Sequence, residues 1–349
     1  MTRTVWLIRH AMPDIPLGER WCVGGRTDLP LCALGRMQSA LLPFAPELRG
    51  VKAVFCSSLV RARQTALPLC GEPAVMPGLE EQDMGEWDGL SFAEIKKRFP
   101  ALYAAREGDP SLLPAGAESE TEVRARMLSA LRRCLRESEG DIAVVSHKGA
   151  IASLIGSREG LGYTSLAALR FEAEQLVSCE LLAPPRPALT DEVCRALLAA
   201  SGANAALEAH CRAVAALADE IAGALRDKGS CLDAEAVHAA ALLHDIARGE
   251  KDHAVLGARW LRELGYPRIA EIVRQHHDPD GTALNEAAVV YLADKAVRGS
   301  GRASLDERFA ASLEKCTTPE AREAHARRYE TAMTIRNEIN RLCGAELIR

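Results

Sequence analysis

The sequence lacks the features that mark membrane-spanning, disulfide-stabilised and nucleic-acid-binding proteins. No stretch reaches 18 apolar residues and the N-terminus has no signal-peptide core, so we expect no membrane partner. The 11 cysteines include no C-x-x-C pair, which argues against a disulfide framework or a thiolate zinc site and favours reduced thiols in the cytoplasm. A net charge of −5 gives no basic footprint, so nucleic acid is a disfavoured partner.

Aromatic residues are also scarce, at 4% of the chain, whereas alanine is abundant, a composition typical of helices packed through small side chains. The 349 residues are enough for about two domains. Residues 1–183 alternate strand and helix patterns and predict an α/β sandwich. Three prolines among residues 184–187 predict a linker over 184–190, and residues 191–349 show helical patterns throughout, which predicts an all-α bundle.

Short apolar runs in the N-terminal half predict buried parallel strands at 5–8, 51–56 and 142–145, with a further strand candidate at 176–182. Helical patterns lie near 35–48, 59–70 and 119–136. In the C-terminal half, helices are predicted near 204–227, 233–247, 250–264, 267–277, 284–298, 304–315 and 319–341. The last helix is assigned either to packing or to an oligomer contact, which leaves a homo-oligomer open.

A histidine and an aspartate stand side by side at the end of an apolar helical run. Val237, Ala241 and His244 are spaced i, i+4, i+7, which places His244 on a buried face directly before Asp245. Burying an imidazole beside a carboxylate is costly unless a group such as a metal ion satisfies both. Six of the nine histidines lie between residues 210 and 277, where even spreading would place roughly two. Further candidate ligands fall on the inward faces of other helices: His210, His253, His276 and Asp294. A metal site is therefore favoured over a bundle of separately satisfied core histidines.

Chemically useful residues of the N-terminal half follow its predicted strands. Arg9 and His10 come directly after the first strand, Arg61 lies just beyond the second, and His147 follows the strand at 142–145. An open α/β sheet places functional loops at such strand ends. Phosphoryl transfer depends on positioning and on stabilising spread negative charge, which arginine forks supply, and a neutral histidine can attack phosphorus. Glu81, in the segment 79–89, is placed to act as an acid and a base.

In this order the segments resemble the histidine phosphatase superfamily, the branch with phosphoglycerate mutases and α-ribazole phosphatase, over about residues 3–183. The resemblance implies a phosphoglycerate mutase-like fold, a metal-free core of Arg9, His10, Arg61 and His147, and Glu81 at the acid position. The family usually has glycine where this chain has Ala11 and Lys148. Lys148 either adds a cation near the phosphate or faces solvent.

The pattern His210, His244-Asp245 and Asp294 resembles the HD-domain metal-dependent phosphohydrolases over roughly residues 204–300. The additional His253, His276 and His277 resemble the subset of that family that holds two metals. The resemblance implies divalent ions, of Mn, Fe, Zn or Co, and most simply two of them. Adjacent helical residues diverge by roughly 100°, but Asp278-Pro279 ends the helix, so His276 and His277 could both turn inward. Glu80, Glu86, His238 and His325 are expected to lie at the surface.

Together these resemblances predict a cytoplasmic bifunctional phosphohydrolase. The N-terminal half is expected to hydrolyse a small phosphomonoester through a phosphohistidine, since it is too short for the insertions that mutases generally carry. The C-terminal half is expected to hydrolyse a nucleotide-like phosphate ester or anhydride with metal-bound hydroxide. The alternative is a phosphatase regulated by an HD domain that binds nucleotide and metal without turnover. Arg248 replaces the lysine of the family's His-Asp-x-x-Lys form.

Overall fold

The computed structural model describes residues 2–16, 18–344 and 346–348, and the chain divides into two compact units, Met1–Pro187 and Ala188–Arg349. The first unit holds a six-stranded mixed sheet with helices, and the second is helical apart from a small two-stranded ribbon. The predicted fold class, an α/β domain followed by a helical bundle, is therefore confirmed. The division falls within the segment 184–190 that the prolines predict as a linker.

The sheet of the first unit runs in the order β3-β2-β4-β1-β5-β6. Its central strands β2, β4 and β1 are parallel, whereas β5 and β6 add antiparallel strands on one side. Strands β1 and β4 are rich in valine, isoleucine and leucine, as expected for strands covered on both faces. The strand bounds are β1 Thr2–Arg9, β2 Ala53–Cys56, β3 Ala74–Val75, β4 Ile142–Ser146, β5 Leu166–Glu172 and β6 Gln175–Leu182.

The register of the central strands brings three loops to one edge of the sheet. Arg9 pairs with Ser146 across β1 and β4, so the residues that follow each strand, His10 and His147, leave the sheet side by side. Cys56 of β2 pairs with Val145 of β4, which places Ser57 at the same edge. Because carboxyl ends of parallel strands share an edge, residues far apart in sequence converge there.

The helices of the first unit differ from the sequence pattern in several places. The helix predicted at 35–48 is wrong beyond Ala40, because the chain continues in two short 3-10 turns, Leu42–Phe44 and Pro46–Leu48, which contain Pro43 and Pro46. Proline lacks the amide proton and clashes with the preceding turn, so it ends an α-helix. The pattern also did not predict α3, α4 and α6. The helices are α1 Ala33–Ala40, α2 Val60–Cys70, α3 Phe92–Arg98, α4 Pro100–Gly108, α5 Glu120–Arg136 and α6 Lys148–Ile155.

The second unit is built around α9, whose residues are buried on nearly all sides by α7, α8, α11 and α12. In the part of the chain that the structure describes, no helix is both long and apolar enough to cross a membrane. The helices are α7 Asp191–Ser201, α8 Ala205–Asp227, α9 Ala234–Leu243, α10 His253–Glu263, α11 Pro267–Arg274, α12 Glu286–Lys295, α13 Leu305–Leu313 and α14 Pro319–Cys343, and the ribbon is β7 Val297–Arg298 with β8 Gly301–Arg302.

A histidine on α9 joins three helices of this unit. His238 Nδ1 lies 2.8 Å from Asp219 Oδ2 on α8, and its Nε2 lies 2.8 Å from Asp191 Oδ1 on α7. A carboxylate only accepts hydrogen bonds, so both contacts require the protonated imidazolium. Partial burial opposes that charge, but the two carboxylates raise the pKa of His238 above its ordinary value of 6.5.

We expect His238 to stabilise the protein in a pH-dependent manner. A raised folded-state pKa means that the stabilisation is complete below pH 6.5 and disappears as the pH rises through the raised value. The free energy of unfolding of wild type minus that of His238→Gln, measured by urea denaturation, should therefore be largest at acid pH and shrink at alkaline pH. A difference that stays constant from acid to alkaline pH would remove the imidazolium from the explanation. His325→Gln, on the late helix α14, serves as a matched control.

Candidate active sites

The candidate nucleophile, His10, is buried directly after β1. Its Nδ1 lies 2.7 Å from the carbonyl oxygen of Ala11, which can only accept a hydrogen bond. Nδ1 therefore carries the proton, and Nε2 keeps the lone pair. Burial, followed by the positive charges of Arg61 and Arg9, holds the pKa of His10 well below its usual range. A neutral imidazole with a lone pair on Nε2 is the form that can attack phosphorus.

Arg9 is fixed beside this imidazole by a carbonyl and an aromatic ring. Its Nη1 donates a hydrogen bond of 2.7 Å to the carbonyl oxygen of Leu161, and its guanidinium carbon lies 4.0 Å from the centre of the Tyr163 ring. Stacking on an aromatic face stabilises the cation while leaving its edges free to donate. Its Nε is buried and has no hydrogen-bond partner among the described residues. These contacts hold the Arg9 guanidinium in place, and its unpaired Nε–H can donate a hydrogen bond to an anion.

Arg61, in the first turn of α2 just beyond β2, is also held by backbone carbonyls. The side chain is fully buried, with Nη1 donating to the carbonyl oxygen of Thr27 at 2.6 Å and Nη2 donating to that of Gly24 at 3.0 Å. Its Nε is also buried, and no acceptor for it lies among the described parts of the chain. A buried cation whose donor is unmatched by any protein acceptor is costly unless an anion binds there. Phosphate oxygens match that requirement.

His147 follows β4 and is buried at the same edge of the sheet as His10. Its ring centre lies 5.0 Å from that of His10, and its Nε2 lies 2.8 Å from Ser57 Oγ. Burial, followed by its nearness to His10 and the positive charge of Arg61, keeps the pKa of His147 well below its usual range. Ser57 can donate to Nε2, which leaves Nδ1 as the proton-bearing atom. Nδ1 is buried and finds no partner within the described residues, so it can donate to a ligand.

Glu81 is oriented by backbone amides at the start of α6. Its carboxylate accepts hydrogen bonds from the amides of Gly149 at 3.0 Å, Ala150 at 3.0 Å and Gln82 at 2.8 Å. A Cβ on Gly149 would lie only 2.6 Å from Glu81 Oε1, so this approach requires glycine. Glu81 and His10 line one cavity of about 550 Å³. The carboxyl group is thus held in the space where a substrate of His10 would sit.

A half-buried arginine of α5 positions the loop that carries Glu81. Arg126 donates to the carbonyl oxygens of Gly78, Glu80 and Glu81 at 2.8–3.0 Å. Its Nε is 2.8 Å from the Glu118 carboxylate, which offsets the charge. Three carbonyls converging on one guanidinium fix the backbone on either side of Glu81. Arg126 is a positioning residue that sequence reasoning missed, since nothing in its helical spacing distinguishes it from neighbouring arginines.

In the second unit, His210, His244 and Asp294 bring their ligand atoms within 4.8 Å of one another. Asp294 Oδ1 lies 3.3 Å from His210 Nε2 and 3.6 Å from His244 Nε2. Asp245 Oδ2 lies 4.0 Å and 3.5 Å from the same two nitrogens. Two imidazoles and two carboxylates around one point form a donor set suited to a divalent transition metal.

A second group shares Asp245. Its other oxygen, Oδ1, lies 3.0 Å from His253 Nε2 and 3.6 Å from His276 Nε2. His277 Nε2 lies 2.9 Å from His253 Nε2, so His276 and His277 both turn toward the cluster at the end of α11. Since its two oxygens face different imidazole groups, Asp245 is arranged as a bridging carboxylate.

The imidazoles of this cluster are held in one tautomer. Three of them place Nδ1 within 2.7–2.9 Å of a backbone carbonyl oxygen: His210 on Gly299, His244 on Ala241 and His276 on Val273. A carbonyl only accepts, so each Nδ1 carries a proton and each Nε2 is the nitrogen that faces the cluster. Buried atoms without a hydrogen-bond partner among the described residues include Nε2 of His244, Nε2 of His276 and Oδ1 of Asp245. These orphaned acceptors fit a metal cation.

Electrostatics agree with cation binding at this cluster. Burial, followed by the charge of Lys295, lowers the pKa of His277 to about 2, so this imidazole is neutral. Burial also acts to lower the pKa of His244, but contacts with Asp245 and Asp294 raise it well above the usual range. A cation held by the same carboxylates would compete with that proton, so metal binding at this point is expected to release it.

Two cations contact the carboxylates of the cluster from outside. Arg248 Nη1 lies 2.5 Å from Asp245 Oδ2, and Lys295 Nζ lies 2.7 Å from Asp294 Oδ2. Lys295 also lies 3.3 Å from His277 Nδ1. Each cation fixes the orientation of a carboxylate that also faces the imidazoles. Lys295 carries no sequence signal beyond its place beside Asp294, and for that reason it was not among the candidates.

All the residues selected from the sequence fall in one of these two places. Arg9, His10, Arg61, Glu81 and His147 meet at the sheet edge of the first unit, whereas the seven metal candidates form the two groups of the second unit. Their functional roles stay predictions. Of the residues expected at the surface, Glu86 is exposed, but Glu80, His238 and His325 are half-buried, so the expectation is wrong for these three. His325 bonds to Ser312 Oγ at 2.8 Å and lies apart from the metal candidates.

The fold of the first unit and the residues at its sheet edge are those of a known superfamily. The chain belongs to the histidine phosphatase superfamily (branch 1), whose family model matches residues 5–182, and the HD-domain model matches residues 207–299. Both resemblances drawn from the sequence are confirmed.

Individual relatives align with parts of the chain. "Bifunctional protein Rv2228c" of Mycobacterium tuberculosis is 31% identical over 183 residues, which are 51% of this chain and 50% of that protein. The chain thus spans about half the length of this relative. A glucosyl-3-phosphoglycerate phosphatase of Mycolicibacterium vanbaalenii is 28% identical over 171 residues, covering 46% of this chain and 75% of that protein. A solved mycobacterial glucosyl-3-phosphoglycerate phosphatase aligns with a TM-score of 0.45 and 24% identity, covering 53% of this chain and all of its own.

Proposed function

We propose that the first unit hydrolyses a small phosphomonoester through a phosphohistidine on His10. The observation that carries this proposal is the buried, neutral His10 whose proton sits on Nδ1, beside two arginines with unmatched Nε donors. Arg9, Arg61 and Nδ1–H of His147 would face the negative charge spread over the phosphoryl oxygens. Relatives named as phosphatases support hydrolysis of a phosphate ester.

The two steps use one histidine and one carboxyl group. In the first, Nε2 of His10 bonds to phosphorus as the bond from phosphorus to the alcohol oxygen breaks, and Glu81 gives that oxygen its proton. In the second, Glu81 takes a proton from water, the water oxygen bonds to phosphorus, and the bond to His10 breaks. Phosphate leaves, and both residues return to their starting state.

Glu81→Gln should discriminate between leaving groups. An amide cannot give up a proton, so hydrolysis of an alkyl phosphate should slow by roughly a hundredfold or more. p-Nitrophenolate needs little protonation, so with p-nitrophenyl phosphate the loss in kcat/KM, which reports the first step, should be less than about tenfold. Steady-state kinetics of both substrates test this, with Glu80→Gln as a control of equal charge change next in sequence. An equal loss for both substrates would argue against the acid role.

For the second unit we propose two divalent ions and hydrolysis of a nucleotide-like phosphate ester or anhydride. His210, His244 and Asp294 would hold one ion, His253, His276 and His277 the other, and Asp245 would bridge them. Imidazole and carboxylate ligands suit Mn, Fe, Zn or Co. When bound, such ions supply an activated water and offset charge on phosphate oxygens. The opposed oxygens of Asp245 are the observation that supports two ions over one.

The protein's own residues would orient these ligands and receive substrate. Carbonyl contacts at Nδ1 keep three imidazoles aimed inward, and Arg248 and Lys295 hold the carboxylates. The side chain of Arg248 is 51% exposed, so it can also meet a phosphate arriving from solvent. Metal-dependent turnover of nucleotides would separate this proposal from a purely regulatory second unit. All eleven cysteines are free thiols, which suits the cytoplasm as the proposed location.

A further inference from the structure

The cavity above His10 carries more positive charge than one phosphoryl group requires. Arg9 lies within it, and so do four further cations, none of which is needed for the transfer steps described above. They come from the loop before α1, from α4, from the start of α6 and from the loop after it: Arg20, Arg106, Lys148 and Arg158. Since separate segments contribute these cations to one wall, the wall itself is a candidate binding surface.

These cations lack negative partners within the protein. Arg158 donates to the neutral side chain of Gln82 at 3.0 Å, and Arg20 lies over the Phe92 ring at 5.1 Å. Across the described residues, no carboxylate forms an ion pair with Arg20, Lys148 or Arg158. The cavity is lined by two carboxylates. One is Glu81, which backbone amides already hold, and the other is Glu19, which is exposed.

Lys148 is the residue that sets this wall apart from the resembling family, which usually has glycine at that position. It is partly buried at the first position of α6. Burial lowers the pKa of Lys148, and the charges of Arg9, Arg158 and Arg20 lower it further. Crowding like charges in a half-buried wall is unfavourable unless an anion joins them. Lys148 thus belongs to the same cavity wall as Arg20 and Arg158.

Donors other than cations line the same cavity. The indole nitrogens of Trp21 and Trp87 are buried, and neither has an acceptor among the residues the structure describes. An indole N–H only donates, as do arginine and lysine side chains. Such a wall, rich in donors and poor in acceptors, matches a ligand that supplies oxygen acceptors and negative charge.

We infer that Lys148 and Arg158, with Arg20 at the rim, form a subsite for a second anionic group on the alcohol part of the substrate, either a carboxylate or a second phosphate. This rests on the proposed phosphomonoester hydrolysis and names its substrate class. The reacting phosphoryl group occupies Arg9, Arg61 and His10, whereas the second anion selects which ester is bound productively.

The test compares esters that differ in one group. 3-Phosphoglycerate and glycerol 3-phosphate differ only in a carboxylate against a hydroxymethyl group, and glycerol bisphosphate provides a second phosphate. The kcat/KM of wild type should favour the doubly anionic esters. Lys148→Gln should lower kcat/KM for them by roughly 10- to 100-fold, the range for hydrogen bonds to charged groups. Its effect on glycerol 3-phosphate should stay below about threefold, and Lys148→Arg should retain most of the selectivity. Lys97→Gln, an exposed lysine outside the cavity, is the matched control.

The pattern of loss among the three esters either identifies the anion that the subsite binds or overturns the inference. Loss for the carboxylate ester alone identifies a carboxylate subsite, and loss for the bisphosphate alone identifies a phosphate subsite. An equal change for all three esters would overturn the inference and reduce the cations to steering of phosphate. If turnover of the three esters is slow, their inhibition constants against p-nitrophenyl phosphate give the same comparison. Absence of His10-dependent hydrolysis of p-nitrophenyl phosphate would instead defeat the proposed function itself.

Discussion

Replacing His10 by alanine is expected to abolish phosphomonoester hydrolysis by the first unit. The substitution removes the Nε2 lone pair, and no other neutral imidazole is placed to substitute, because His147 Nε2 contacts Ser57 Oγ at 2.8 Å. Loss of a covalent nucleophile should reduce kcat by at least about a thousandfold. Phosphate release from p-nitrophenyl phosphate, in a background with the metal cluster disabled by His244→Ala, measures this directly.

The same imidazole determines the pH dependence. Because burial and two arginines hold the pKa of His10 well below its usual range, the nucleophile stays neutral in mildly acid solution. Wild-type activity should therefore persist below pH 6.5, the ordinary value for histidine, and should not fall with a midpoint there.

Circular dichroism of His10→Ala should show intact helices. Undiminished phosphomonoester hydrolysis by that variant with the metal site disabled would show that His10 is not the nucleophile.

Changes in the metal cluster are expected to be nearly as large. His253→Ala removes the imidazole 3.0 Å from Asp245 Oδ1 and should leave one ion where wild type holds two. Asp245→Ala removes the shared carboxylate and should lose both ions. Elemental analysis of protein loaded with Mn, Fe, Zn or Co gives the count. Metal-dependent turnover should fall far more than the free energy of unfolding.

The metal cluster allows both a control variant and a clear contradicting result. His325→Ala removes an imidazole that bonds to Ser312 and belongs to neither ligand group, so it should leave the metal content unchanged. One ion in fully loaded wild type, with His253 and His276 far from it in an experimental structure, would defeat the two-metal proposal. A simpler site built on His210, His244, Asp245 and Asp294 would then remain.

The convergence of both sites could be predicted from sequence because it follows from regular geometry. Arg9-His10 and Ser146-His147 each follow an apolar run that reads as a parallel strand, and parallel strands share their carboxyl edge. Likewise, the helical period placed His210, His244, His253, His276 and Asp294 on inward faces, and all five lie in the two groups. The helix predicted at 35–48 is wrong beyond Ala40 because the helical period continues past Pro43 and Pro46, although proline is incompatible with the interior of an α-helix.

The contacts that tune the chemistry could not be predicted in this way. The tautomer of His10 depends on where the carbonyl of Ala11 points, which no residue pattern encodes. Ser57 and Tyr163 are single residues in loops, and their contacts with His147 and Arg9 exist only once the strands assemble. Lys295 reaches Asp294 from the adjacent position, where side chains on a regular helix would normally diverge.

Two independent phosphohydrolase sites on one chain are tested most directly by chelation. Phosphate release from p-nitrophenyl phosphate and from a panel of nucleotides is measured on the full chain, before and after metal removal with EDTA. We expect the His10-dependent hydrolysis of p-nitrophenyl phosphate to be unchanged and any His244-dependent hydrolysis of nucleotides to be abolished and restored by added metal. Loss of both activities, with circular dichroism showing an intact fold, would contradict a metal-free first site.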